Sequence, residues 1–380
     1  MTKRKKSEII ERFFFIITIA FWFYSDYYAS FNDDLKYIVA LIYGFFLLFF
    51  IKKESNNSYN KERIKRLLFV YLFMILISYS FQLINFSFNL LPLKHLFYYI
   101  VPLLLAYIIY CRDNKNSDFY FNTIFYVTTI VFFIESREIL NFNSISQISF
   151  LDSYSPFESI GLADFYLLLF CYYLKKNYKI KYIICALLCF LCFKRFHIVF
   201  MIIVYLYYIL RIKVNNKKTI LFNKKFNTFL KIIFMLSPFI MILLYSPDFS
   251  NFFYQKFGIV LNEFSMGRYN LTNRVLSGIR NNEFINLGLG STGEYVKSFT
   301  NGVMGNMHND TLRIMIETTF IGTVLFYNNH FKNVFKLPFS TIILIFICIT
   351  ICISHIMTNF MTWFMFYFIM FMEGDEYNEQ

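Results

Sequence analysis

The chain has 380 residues, of which 57% are hydrophobic and 16% charged, with a mean hydropathy of +0.49. A soluble domain is nearer half apolar and a quarter charged, so this composition excludes a soluble enzyme, a disordered chain and a disulfide scaffold. The net charge of +13 would suggest nucleic acid in a soluble protein, but basic residues also mark the cytoplasmic loops of membrane proteins. Phe (53) and Tyr (30) supply most of the apolar surplus. With frequent Ile, Asn and Lys, that bias fits an AT-rich genome and says little about function.

A membrane span needs roughly 17–25 mostly apolar residues. In chain order the runs lie at about 10–30, 35–51, 67–86, 92–110, 119–135, 159–174, 182–193, 196–212, 229–246, 310–328, 337–355 and 358–373. The expected fold is therefore an all-α polytopic membrane protein with about twelve transmembrane helices. The division is 1–246 (spans one to nine), 247–309 (one long extracytoplasmic loop) and 310–380 (the last three spans and a short tail). The first run follows Lys3-Arg4-Lys5-Lys6. It is too long for an ordinary signal-peptide core and has no small-x-small cleavage site, so it reads as an uncleaved span.

The basic residues orient this map. With the N-terminus inside, most Lys and Arg fall in short cytoplasmic segments, including Lys175, Lys176, Lys179, Lys181 and the 211–231 cluster. That asymmetry predicts cytoplasmic N- and C-termini. Cys111, Cys171, Cys185, Cys189, Cys192, Cys348 and Cys352 all fall in spans or on the cytoplasmic side, so no disulfide is expected. Cys185, Cys189 and Cys192 share a helical face without His or acidic company. They read as small packing residues rather than a metal site.

The 247–309 loop is long for a compact membrane protein, and such loops usually carry function. Leu271, Val275 and Ile279 recur at i, i+4, i+8, which predicts an amphipathic helix on the outer membrane surface. Gly288-Leu289-Gly290-Ser291-Thr292-Gly293 then breaks it and permits close backbone approach. Asn309 or Asp310 is placed to cap the next helix, with His308 at the water–membrane boundary beside an N-terminus that favours anions.

This loop and its flanks resemble the bacterial O-antigen polymerase/ligase superfamily of Wzy-type polymerases and WaaL-type ligases. One stretch is Met266-Gly267-Arg268 through Asn282-Glu283-Phe284-Ile285-Asn286-Leu287-Gly288-Leu289-Gly290. It is similar to the family's Gly-Arg, helix and Gly-x-Gly turn, with Ile285 at the usual Pro. A second is His308-Asn309-Asp310-Thr311-Leu312 continuing to Glu317 and Ile321-Gly322, with Thr319 at the usual Gly. A third is Phe193-Lys194-Arg195-Phe196, with Lys194 at the usual Ser. The likeness covers about 155–330.

The resemblance implies a GT-C-like glycosyltransferase of the bacterial cytoplasmic membrane. It would be inverting and metal-independent, and would join undecaprenyl-pyrophosphate-linked oligosaccharide repeats into O-antigen or capsule on the outer face. Implied partners are those lipid-linked oligosaccharides, membrane lipids, a chain-length regulator and a flippase, with no nucleic acid and no cofactor. Arg268 and Arg195 would stabilise the pyrophosphate leaving group, since a guanidinium fork binds phosphate oxygens bidentately. His308 would act as general base on the acceptor hydroxyl, or would bind phosphate. Lys194, Arg274, Arg280 and Asn309 would bind substrate. For Arg274, lipid phosphate is the competing ligand. Glu317 is read as the structural partner of Arg313, four residues earlier. Lys94 and His95 are read as interfacial anchors or groove residues.

Three other readings stand beside this polymerase. One is a ligase of the same superfamily. Another is a flippase, which fits a polytopic chain, although the sequence has no visible internal repeat. The third is a metal-dependent glycosyltransferase using Asp33 and Asp34, residues that also suit a helix cap.

Overall fold

In the computed structural model the described residues are 3–27, 34–48, 58–113, 116–146, 157, 162–192, 194–214, 224–265 and 267–378. Asn32 and Asp33 lie outside them, as do Phe193 and Met266. All secondary structure among the described residues is helical. The chain forms two compact units, one of residues 1–57, 101–219 and 360–380, the other of residues 58–100 and 220–359.

The first unit contains α1 (Lys3–Tyr27), α2 (Asp34–Leu48), the second half of α4 (Leu91–Asp113), α5 (Ser117–Ser136), α6 (Phe142–Ser146), α7 (Ala163–Lys175), α8 (Lys179–Leu191), α9 (Arg195–Val214) and α17 (Phe360–Asn378). Its centre is α7, buried from Ala163 to Leu174 and packed against α5, α8, α9 and α17. The aromatic surplus is used here. Phe121 stacks between Tyr172 (3.7 Å between ring centres) and Phe368 (5.6 Å). Trp22 meets Phe23, Phe165 and Phe360. The face carrying Cys185 and Cys189 is buried, and the Cys189 thiol donates to the Ala163 carbonyl of α7 at 3.9 Å. These small residues let α8 approach α7 closely. All seven cysteines are free thiols.

The second unit contains α3 (Ser58–Ile84), the first half of α4, α10 (Lys224–Leu244), α11 (Pro247–Phe257), α12 (Leu261–Phe264), α13 (Arg268–Arg280), α14 (Ser291–Phe299), α15 (Asp310–Val334) and α16 (Pro338–Ile353). Its centre is α15, which packs against α3, α10, α14 and α16. Thr319 interrupts α15 at φ 64°, ψ 175°. That region is nearly reserved for glycine.

Among the described residues, four helices are long and apolar enough to cross a membrane: Tyr59–Ile84, Leu91–Arg112, Ser117–Ser136 and Lys224–Leu244. Leu35–Leu48, Arg195–Leu210 and Pro338–Ile353 are apolar but shorter. The chain is thus a helical membrane protein, but the expected count of twelve spans is not what its described helices provide. The reason is length and charge. At 13 residues each, α7 and α8 reach only about 20 Å, against a hydrocarbon layer of about 30 Å. In α15, Asp310, Arg313 and Glu317 crowd the first turns.

The 247–309 segment folds into the four helices α11 to α14 rather than one. Leu271 and Val275 of α13 are buried as their spacing predicts, and they pack with Val296, Met307 and Leu312. The apolar face of α13 therefore meets protein and does not lie on a membrane surface. Ile279 turns away and is exposed, and Gly278 takes the buried place beneath the Tyr295 ring.

Candidate functional site

The second unit brings a dense set of charged and polar groups to the start of α15. Asn309 caps this helix, accepting from the Leu312 amide at 3.0 Å. Asp310, Arg313 and Glu317 are spaced to share one face of α15, and that face is buried. Arg313, only 2% exposed, is the hub. Its guanidinium lies 3.4 Å from both Asp310 and Glu317. It donates to the Tyr99 hydroxyl at 3.1 Å and to His95 Nδ1 at 3.0 Å, both from α4. Two carboxylates, a phenol and an imidazole thus satisfy one buried cation, the condition under which burying a charge is tolerable.

Each carboxylate has further donors. Glu317 Oε1 accepts from the Thr292 hydroxyl (2.5 Å) and amide (3.2 Å) at the start of α14. Asp310 Oδ2 accepts from the Ile356 and Met357 amides, both at 2.7 Å. Asp310 Oδ1 takes the Nδ1 proton of His355 at 2.8 Å. That proton assignment follows from chemistry, because the ionised carboxylate of Asp310 can only accept. The Thr358 hydroxyl then donates to His355 Nε2 at 2.9 Å.

Gly288 and Gly290 make this packing possible. Both have positive φ (87° and 91°). A Cβ on Gly288 would stand 2.2 Å from Ser78 Cβ, and one on Gly290 2.3 Å from the His95 ring. The turn therefore presses on α3 and α4 as only glycine can, and the Leu289 amide bonds Ser78 at 3.0 Å. Asn286 fastens the turn to α15 through the Ile316 carbonyl at 2.6 Å.

His308 and Arg268 stand beside this network. His308 has φ 53°, and its half-buried ring faces that of His355 at 6.5 Å. Burial lowers its pKa, and the nearby His355 and Arg268 lower it further, so its imidazole is neutral at pH 7. Gly267, in the left-handed region at φ 82°, starts α13 and sets Arg268 at its first position. Arg268 donates to the Ile353 carbonyl at 2.8 Å. This uses part of the planar fork and leaves other N–H groups for a ligand. Neither the His308 ring nor the rest of the Arg268 fork has another hydrogen-bond partner among the described residues.

The other sequence-predicted positions fall elsewhere. Arg274 pairs with Glu283 at 3.3 Å, both well exposed. Arg280 donates to Ser277 at 3.3 Å on the exposed end of α13. Lys194 and Arg195 belong to the first unit. There Lys194 lies 3.6 Å from buried Asp164, which also holds His197, and Arg195 opens α9 on an exposed surface. Asn309 proves to be a buried helix cap. Arg313 and Glu317 do pair, within a larger network than their spacing showed.

Sequence reasoning missed Asp310 as an anchor, and it missed His355, Tyr99 and Thr292. A sequence signal did exist for His355. It interrupts an apolar stretch directly after Ser354, where a polar pair is unexpected. Nothing in the sequence singled out Tyr99 among 30 tyrosines.

No family model, curated protein or solved structure matches this chain.

Proposed function

We propose that this chain is a membrane glycosyltransferase that joins lipid-pyrophosphate-linked oligosaccharide repeats into a surface polysaccharide, with both termini cytoplasmic and the reacting site on the outer face. The observation that carries the reading is the meeting of His308 and Arg268 beside the Asp310–Arg313–Glu317 network. In the reaction, an acceptor hydroxyl oxygen attacks the anomeric carbon of the donor sugar, and the bond from that carbon to the pyrophosphate oxygen breaks. The lipid pyrophosphate leaves with the electron pair, and inversion follows from attack opposite to it. His308, neutral at working pH, takes the hydroxyl proton. Arg268 stabilises the charge growing on the leaving diphosphate through charge-assisted hydrogen bonds. Asp310, His355 and Arg313 do not react. They fix the loop–helix junction that carries His308, as a supporting shell must if the geometry is to hold within fractions of an ångström.

The test is complementation of a deletion strain with His308→Ala and Arg268→Ala, read by polysaccharide length. Loss of long chains with normal protein level supports the proposal, and full-length polysaccharide in both variants overturns it. The deletion strain itself separates the neighbouring readings. Single repeats on the final anchor indicate a polymerase, and long lipid-linked chains indicate a ligase. Repeats trapped on the cytoplasmic face indicate a flippase. The same assay on Lys194→Ala and Arg195→Ala decides whether the first unit contributes cations to the reaction.

A further inference from the structure

The structure assigns α11, together with the turn through Phe264, as an interfacial element that lies along the surface of a phospholipid bilayer and anchors the segment leading to Arg268. At 100° per residue, Phe252, Phe249, Phe253 and Phe257 fall in one arc, whereas Asp248, Asn251 and Gln255 fall in the opposite one. No residue of α11 is buried, and Phe252 is 56%, Phe257 60% and Phe264 66% exposed. The rings cluster with one another instead of entering the core, Phe253 lying 4.9 Å from Phe257 and 6.2 Å from Phe264. Such a patch on a soluble surface would be an aggregation hazard.

Continuity names what covers it. The preceding helix, α10, is apolar enough to span a membrane, and only 17% of its apolar window is buried within the protein. Its outer surface is therefore made for lipid. Only Tyr245 and Ser246 separate α10 from α11, and Ser246 caps α11 by accepting from the Phe249 amide at 3.2 Å. Pro247 at the first position of α11 breaks the run of α10. A helix that begins two residues after a span sits at the depth where the hydrocarbon ends, the level that aromatic rings occupy. Lys256 falls within the apolar arc, where a long stem lies along lipid and the ammonium reaches headgroup phosphate. Gly258, left-handed at φ 68°, ends the helix, and α12 then leads through Gly267 to Arg268. The depth of α11 in the bilayer therefore sets the height of Arg268.

The test places single Trp probes by Phe257→Trp, Phe264→Trp and, on the polar arc, Gln255→Trp in the full chain. The protein is reconstituted into phosphatidylcholine/phosphatidylglycerol vesicles whose acyl chains carry bromine either near the headgroup or near the chain end. Native Trp22 and Trp363, both buried, supply the baseline measured on the unsubstituted protein. The expected result is quenching severalfold stronger at 257 and 264 than at 255, and stronger with shallow than with deep bromine. Quenching at baseline in all three variants overturns the assignment. So does equal quenching at 255, which means full immersion. A blue-shifted but unquenched probe at position 257 also overturns it, because a second copy of the chain then covers the face. None of these outcomes depends on whether the chain transfers sugars.

Discussion

The sharpest consequence of the buried network is the cost of removing its cation. Arg313→Met keeps a long flexible stem and deletes the guanidinium. Asp310 and Glu317, each 3.4 Å away, then lose their buried counter-charge, and the Tyr99 oxygen and His95 Nδ1 lose a donor. At an effective dielectric near 20, one such pair attracts by roughly 5 kcal/mol. The guanidinium's own desolvation offsets most of two such attractions, so the expected net destabilisation is about 3–5 kcal/mol. Asp310 loses least, because His355 and the Ile356 and Met357 amides still serve it. The Glu317 side carries most of the cost. Arg313→Met/Glu317→Gln should therefore recover about 1–3 kcal/mol, since neutral Gln still accepts from Thr292. The assay is reversible unfolding in mixed micelles followed by circular dichroism, for both single variants and the double. If Arg313→Met unfolds within about 1 kcal/mol of the unsubstituted protein, Arg313 is not the hub of a buried network and the reasoning fails.

Three further outcomes follow from the same geometry. The pKa of His308 lies below the ordinary imidazole value of about 6.5, so transfer should be level at neutral pH and lose activity only on the acid side of that value. The folded state also resists protonation there. Stability should fall as pH drops through that window, and the fall should be smaller in His308→Gln, measured by unfolding across pH. Thr319→Gly relieves a conformation costing about 1–3 kcal/mol and adds about 0.5–1 kcal/mol of backbone entropy. It should stabilise by ~1 kcal/mol in the same assay, and Thr319→Ala should not. Gly288→Ala drives a Cβ to 2.2 Å from Ser78 and should cost at least ~2 kcal/mol, with loss of polysaccharide in complementation. Near-normal stability and activity in that variant would show that the turn does not press on α3.

The membrane character of this chain was legible because it is a bulk property. A high apolar fraction and a low charge fraction dictate lipid as solvent, whatever the packing. Local caps and pairs were legible too, because their partners are three or four residues away. Asn309 reaches the amide of Leu312, and Arg313 reaches Glu317. So was one face of α13, since Leu271 and Val275 stand one turn apart.

Tertiary packing decided the rest. It covered that face with Val296, Met307 and Leu312 instead of lipid, and it left α11 with no buried residue. It also supplied the site's supporting groups, His95 and Tyr99 from α4, Thr292 from α14 and His355 from the segment after α16. They satisfy a charge lying far from most of them along the chain. No periodicity encodes such pairings, because sequence spacing specifies which residues share a helix face and not which helix that face meets. The number of spans failed for a related reason. An apolar run signals burial, and burial in protein and burial in lipid draw on the same residues until the length and neighbours of each helix are known.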